Sequence, residues 1–406
     1  MTLPPVPFAG LPASSRVARA LRDLRTLVAD SEAAARMVAP ADGVRVEVVS
    51  EVKPDPRTRG GYKLRRFYWS VQRRDAERGF GALTLQHYAK APAPTWHVFP
   101  HDPDLGLVRL PDDARVLRYV PLRRLTFRCD GPDGEPLIGK VKRPERFAEA
   151  YALLGTVADA ARQASFGVAA PRGLVPVQGM YFQTALAGRD LASQLEPENA
   201  ASMLTRAGAI HAELHAWPTA GLPLSHPDAA WQAAQSDAAW VAHAAPDLAA
   251  VTAEVVARLE ATRPGPAAVT FCHGDLACSQ MLVDASRWSM VDFDRCTAGD
   301  PYRELALFLA SLRHDAPCFD PGLTDARPVP ESAEVSYLDA YAAAAGATID
   351  EPRLAWHRAC AELHYLSLRL RKDRAPTSAL GDGVARLEAL LAGGLPRARR
   401  RRRRRA

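Results

Sequence analysis

No two cysteines stand at CxxC spacing. The six present (Cys129, Cys272, Cys278, Cys296, Cys318 and Cys360) are scattered through 406 residues. That pattern excludes a zinc frame or a disulfide scaffold and reads as buried, reduced thiols. No run of about eighteen apolar residues occurs, so no membrane-spanning helix is expected. The opening MTLPPVPFAGLPASS lacks the charged-then-apolar order of a signal peptide. Asp23, Asp30 and Glu32 argue against a transit peptide, and a cytoplasmic location is the expectation. Acidic residues are missing from one place in particular. Residues 396–406 hold eight arginines and no Asp or Glu. The formal charge of +6 therefore belongs to this tail; the rest carries 44 Lys and Arg against 46 acids, a net −2. A near-neutral body is not built to bind a polyanion, so nucleic acid is not expected as a partner except through the tail.

What is present is an ordinary globular composition, 48% hydrophobic and 24% charged, long enough for two or three domain-sized units. Residues 14–39 repeat Val17, Leu21, Leu24, Leu27 and Val28 at helical spacing, which marks 1–40 as a helical N-terminal segment. The period then shortens. Val44, Val46 and Val48 alternate with polar residues, and 62–72 and 82–90 are strand-like, followed by a Pro-rich connector over 91–104. A second strand set (ARVLRYV, RRLTFRC, PLIGKVK) precedes a long amphipathic helix beginning at Pro144, and a strand is expected over 174–186. Helices dominate afterwards: 199–217, 226–262, 301–313, 331–345, 353–371 and 383–392. One β insert interrupts them at 269–294. The expected architecture is α+β and two-lobed. A β-rich lobe covers 41–185, with 41–104 an extra meander and 110–185 the part that would bind nucleotide. A helical lobe covers 186–395, followed by the arginine-rich tail.

The insert carries the chemistry. His273-Gly274-Asp275 follows an apolar run, a polar loop ends at Gln280, and MLVD, a turn and SMVDFD read as a hairpin. Asp275 and Asp292 thus fall on loops at strand ends, where a scaffold can converge them. Two carboxylates and an amide oxygen suit magnesium-dependent phosphoryl transfer. That reaction needs one carboxylate to orient a hydroxyl and hard oxygen ligands for the metal.

Together, His273-Gly274-Asp275-Leu276 with Gln280, Val291-Asp292-Phe293-Asp294, Gly299-Asp300-Pro301 and Glu304-Leu305-Ala306 resemble the aminoglycoside phosphotransferase/choline kinase-like family. AGAIHAELH (207–215) resembles the helix before that family's catalytic loop, and Gly188-Arg189-Asp190-Leu191 the turn after its interlobe hinge. The resemblance spans roughly residues 110–370 and implies a bilobed protein-kinase-like fold with ATP and Mg²⁺ bound between the lobes. It makes Asp275 the catalytic base, with His273 bracing the loop. Asp292 and Gln280 become metal ligands, with Asp294 as a further one. Gln280 is a departure, since the family usually has Asn there; some members, maltokinases among them, carry Gln, which leans towards a sugar acceptor.

Such a kinase also needs a lysine on a strand, gripped by a helix glutamate. Lys140 and Lys142 share one strand face, and the following helix offers Glu149, with Glu145 one turn earlier. Lys140 is the first choice, Lys142 the second, and Lys90 a rival with no helix after it. Gln183 and Ala185, just before the hinge turn, are the expected adenine-side contacts. No GxGxxG loop is present at YVPLRRL (119–125), where the phosphate-covering hairpin would lie. His211 and His215 stand at zinc-ligand spacing, but HAELH is not HExxH, and a packing role under the catalytic loop is expected instead. The acceptor is a small hydroxyl compound: sugar, aminoglycoside or amino alcohol. If the arginine tail confers polyanion binding, deleting 396–406 should abolish salt-sensitive retention on a nucleic-acid matrix. Phosphoryl transfer should be untouched.

Overall fold

In the computed structural model, residues 101–102, 105–120, 123–314 and 331–371 are described, together with strand backbone at 44–54, 62–73, 80–85 and 95–98 and helical positions 385, 387 and 389. The expected helix over 14–39, the rival Lys90, the tip of the hairpin at 121–122 and the arginine tail lie outside the described residues. The chain divides into two compact units, residues 1–155 with 169–185, and 156–168 with 186–406. The first is β-rich and the second mainly helical, which is the α+β architecture expected.

The first unit contains two larger sheets. The strands β1 (Val44–Pro54), β2 (Tyr62–Arg73), β3 (Phe80–Leu85) and β4 (Thr95–Val98) form an antiparallel meander in that order. The Pro-rich connector is therefore not structureless: it supplies β4, and the short β5 (His101–Asp102) pairs with β6 (Gly106–Leu107). A second, five-stranded sheet has the order β11-β12-β9-β8-β7, from β7 (Arg115–Val120), β8 (Arg124–Asp130), β9 (Pro136–Lys142), β11 (Pro171–Val175) and β12 (Met180–Thr184). The single strand expected over 174–186 is instead half of a hairpin. Gly179 takes a left-handed turn (φ +56°) that a continuous strand cannot contain.

Alternation along β9 decides which residues face which way. Leu137 and Val141 join Leu125, Phe127 and Met180 in the core of this unit. Gly139 lies flat beneath the Phe127 ring, where even a methyl group would collide. Lys140 therefore points to the opposite face, beside its cross-strand neighbours Thr126 and Tyr181. Tyr181 on that face meets Tyr151 of α1 (Pro144–Ala160), ring centroids 5.9 Å apart.

The second unit is built from α2 (Ala200–His215), α3 (Ala229–Ala244), α4 (Ala249–Ala261), α5 (Pro301–His314), α6 (Glu331–Ala345) and α7 (Glu351–Arg371). The helix expected over 226–262 is two helices, because Pro246 cannot donate the backbone bond a continuous helix needs. Its apolar faces close on α7 through Trp231, Ala234, Val241, Leu259, Trp356 and Leu363. Two short sheets complete the unit. β10 (Gly167–Val168), β16 (Arg287–Met290), β15 (Met281–Asp284) and β13 (Arg189–Asp190) form one, and β14 (Thr270–Cys272) with β17 (Thr297–Gly299) the other. Among the described residues, five cysteines are buried and free, and no helix is long and apolar enough to cross a membrane.

Helices α2 and α6 pack closely because Gly208 presents no side chain. A Cβ there would sit 2.2 Å from the Tyr337 carbonyl oxygen. Gly208→Ala must push α6 away, and overpacking of this kind costs about 1–3 kcal/mol. The expected result is a lower denaturation midpoint; an unchanged midpoint would show that the two helices are not held at this spacing.

Candidate active site

The site grows out of two antiparallel pairings. β14 pairs with β17, so that Cys272 lies opposite Thr297, and β15 pairs with β16 across a tight turn. The loops 273–280 and 291–296 leave these strands side by side and are stitched at three places. His273 Nε2 meets the Val291 carbonyl at 2.9 Å, and the Val291 amide donates to the Gln280 carbonyl at 3.0 Å. Gly274 lies directly on the Arg295 carbonyl, so closely that a Cβ would fall 2.1 Å from that oxygen, and its φ of +82° is left-handed. Glycine is required there twice over, for space and for conformation.

Asp275 emerges from this turn with its carboxylate about half exposed, and Arg295 Nη1 lies 3.6 Å from its Oδ1. Asp292 is half-buried and holds φ +69°, one of two non-glycine residues among those described with positive φ. That region costs an ordinary side chain energy, and such residues persist where the surroundings over-determine them, often at functional sites. Asp294 is half-buried two residues on. Gln280 turns its amide oxygen back to the Ala277 amide at 2.8 Å, closing the short helical turn 278–280. His273 is fully buried and packs on Phe293, with ring centroids 4.5 Å apart.

Beneath the loop lies Glu304, on the first turns of α5 and 2% exposed. It accepts hydrogen bonds from the His273 amide at 3.0 Å, the Gly274 amide at 2.6 Å, His215 Nε2 at 3.1 Å and His211 Nε2 at 3.3 Å. Behind the histidines, His211 Nδ1 pairs with the Tyr337 hydroxyl, and His215 Nδ1 with the Tyr341 hydroxyl at 2.8 Å. His211, His215 and Glu304 are the one group of three His, Cys, Asp or Glu side chains close enough to hold a metal ion among the described residues. Neutral imidazoles with Nε2–H donating to Glu304 and Nδ1 accepting from tyrosine satisfy every atom without an ion. Burial pushes His211 down to about 4, with neighbouring His215 adding to the effect. Burial alone would raise Glu304, but hydrogen bonds from His211 and His215 outweigh it and hold the carboxyl well below the usual range. Asp300 caps α5 through the Tyr302 amide at 3.0 Å and ties it to Arg353 and His357 of α7.

In the first unit, Lys140 is buried and Lys142 half-buried. Glu149 is exposed on α1 and lies 3.4 Å from Arg146, so its carboxylate in this structure is turned to a helix neighbour. Gln183 is buried on β12 opposite Ile138. Ala185 gives its amide to the Pro136 carbonyl at 3.0 Å and is the last residue of the unit.

A family model described as the phosphotransferase enzyme family matches residues 122–360. The chain belongs to that family. It is therefore a phosphotransferase, and Asp275, Gln280, Asp292 and Asp294 all lie inside the matched region. No curated protein sequence matches the chain. Several solved structures do. A choline/ethanolamine kinase family protein from Mesorhizobium loti is 17% identical, with TM-score 0.45, and the match covers 68% of this chain and 87% of that one. A thermostable mutant of aminoglycoside phosphotransferase APH(4)-Ia bound to ADP and hygromycin B is 14% identical, with TM-score 0.49, covering 69% and 94%. Macrolide 2'-phosphotransferase MphH from Brachybacterium faecium is 19% identical, with TM-score 0.43, covering 68% and 91%.

The sequence motifs did not single out the anchoring contacts of Glu304 or Arg295. The signal for Glu304 was present as a lone acid among apolar residues in RELALFLA, facing the same way as two histidines four apart. The network also sets a pH dependence. Folded His211 stays neutral down to about 4, whereas an unfolded histidine takes up a proton near pH 6.5. Acid therefore favours the unfolded chain, by up to about 1.4 kcal/mol per pH unit across that window. Denaturant titrations from pH 7.5 to 4.5 should show this slope in the wild type and a shallower one in His211→Gln. Parallel profiles would show that His211 does not stay neutral.

Proposed function

We propose that this phosphotransferase moves the γ-phosphoryl group of ATP to the hydroxyl of a small molecule, with Asp275 as general base. One observation carries the reading: the stitched pair of loops fixes a solvent-reachable carboxylate, Asp275, beside the loop that holds Asp292 in a strained backbone. Asp275 accepts the acceptor's hydroxyl proton as the new O–P bond forms. The bond from the γ-phosphorus to the bridging oxygen breaks, and ADP leaves. His273 contributes by fixing the loop to Val291.

Two carboxylates, Asp292 and Asp294, with the amide oxygen of Gln280, form a hard-oxygen donor set of the kind Mg²⁺ takes. When bound, Mg²⁺ supplies charge neutralisation at the donor's phosphates. Gln280 would serve through the lone pair left free by its bond to Ala277. Lys140, with Lys142 in reserve, supplies positive charge for the α- and β-phosphates. Gln183 and Ala185 stand on the adenine side, where the Ala185 carbonyl is the group to test, its amide being engaged. Glu149 would need to leave Arg146 to brace Lys140. A second reading, a nucleotide-binding protein with weakened transfer, is favoured by the inward turn of Gln280.

Asp275→Asn decides between them. Loss of a general base lowers turnover by about 10²–10⁴-fold, and nucleotide affinity, measured by calorimetry with Mg²⁺, should be unchanged. ADP release would be followed over sugars, aminoglycosides, choline-like amines and amino-acid alcohols. If the wild type transfers phosphate to none of them, or if Asp275→Asn keeps full turnover, the proposed role of Asp275 fails.

A further inference from the structure

The exposed neighbour of the proposed base is a cation, and its place is fixed by backbone. Arg295 lies 3.6 Å from Asp275; the two chain segments are linked by the His273–Val291 and Val291–Gln280 hydrogen bonds, and Gly274 packs on the carbonyl of Arg295 itself. The Arg295 side chain is 61% exposed, so its charge is displayed to solvent beside Asp275. A hydroxyl poised for transfer must lie within hydrogen-bond reach of Asp275. A second group on the same acceptor, one or two bonds away, then falls within a few ångströms of Arg295.

A counterweight in the sequence is the segment 314–334, whose Asp315, Asp320, Asp325, Glu331 and Glu334 stand against Arg327 and lean mildly towards a polycationic acceptor. Glu334 is no longer available for that. It is buried, taken by Arg313 at 2.8 and 2.7 Å and by Arg358 at 2.9 Å. Glu362, its neighbour in the same cluster, is likewise buried against Arg313 and His314. In the proposed reaction Asp292 and Asp294 face the metal, not the acceptor.

We infer that Arg295 is a specificity-determining residue that selects hydroxyl acceptors carrying no positive charge beside the reacting oxygen. The acceptor class is a neutral or anionic polyol, not an aminoglycoside. This inference rests on the proposed kinase activity at Asp275. Charge repulsion at this separation, partly screened by solvent, is worth about a tenfold change in relative preference.

Matched pairs of acceptors test it: a neutral sugar against its amino-sugar, and a neutral oligosaccharide against kanamycin, compared by kcat/KM at low and at high salt. The wild type should favour the uncharged member. Arg295→Gln should shift the ratio towards the amine by about tenfold, Arg295→Glu further, and salt should shrink both effects. An unchanged ratio, or a wild type that already prefers amines, overturns the inference. So does an equal fall in kcat for every acceptor, which would make Arg295 a transition-state group instead. Calorimetric binding of kanamycin with ADP and Mg²⁺ reads the same preference without turnover. If the wild type transfers no phosphate yet Arg295→Glu binds kanamycin more tightly, the kinase reading fails and the selectivity stands. Equal binding by both sinks the selectivity.

Discussion

One buried carboxylate holds the site together. Glu304 is the point where α5, α2 and the loop carrying Asp275 meet, and it meets the loop through backbone amides, not side chains. Two consecutive amides, at His273 and Gly274, point at one acceptor. That arrangement fixes the two peptide planes leading into Gly274, one residue before Asp275. The positive φ of Gly274 then sets the direction in which the chain leaves that anchor towards Asp275. Burying a charge without partners would be prohibitive, and four donors make this one tenable. Hydrogen bonds from His211 and His215 hold the carboxyl ionised against burial, and the two amides that share it are the groups that define the loop. Fixing the turn before Asp275 and satisfying the acid are thus one requirement.

The hub extends the constraint outward. Tyr337 and Tyr341 bond the far nitrogens of the two histidines, so α6 sets the rotation of both rings, and Gly208 sets how near α6 can come to α2. Phe308 stacks on Tyr337 with ring centroids 4.8 Å apart, which closes the circuit back to α5. Displacing any of these helices moves the tyrosines, then the imidazoles, then the amides before Asp275. A second set of contacts holds the same, N-terminal end of α5. Arg353 and His357 converge on Asp300, and the carboxyl is held below its usual range because hydrogen bonds from His357 and Arg353 overcome the effect of burial.

Much of this was legible in the sequence, for physical reasons that differ from place to place. The helical segments 301–313, 331–345 and 353–371 were read within a few residues, because helix-favouring residues fill them and their starts carry proline or acid. The β insert was legible because strand, turn and strand follow one another with no competing helical period. What failed were places where one local residue overrides a longer pattern. Pro246 splits a helix whose periodicity continues on both sides, and Gly179 folds a continuous apolar run into a hairpin. Strand β4 was hidden in proline-rich sequence because a short strand leaves too few residues for alternation to register. In the candidate site, the placing of Asp275 on a loop at a strand end was legible from the motif and its flanking strands, and the partnerships were not. That Glu149 turns to Arg146 depends on side-chain rotamers that no spacing encodes. The pairing of Arg295 with Asp275 crosses twenty residues and exists only because β14 and β17 align.

Net charge is a poor guide to such a site, and the second unit shows why. Its buried clusters consume charge in matched sets: Arg313 and Arg358 with Glu334 and Glu362, Asp237 with His364 and Ser367, Asp300 with Arg353 and His357. Each set is close to neutral and faces inward, so it contributes little to the field an approaching molecule meets. What remains displayed near the turn at Asp275 is a short list, in which Arg295 and Asp275 are neighbours of opposite sign. A body with net charge near −2 can therefore display a single exposed cation, Arg295, beside Asp275. The sign that an acceptor meets is set by those few exposed groups and their distance from the reacting oxygen, because water and salt screen the remainder within about 8–10 Å.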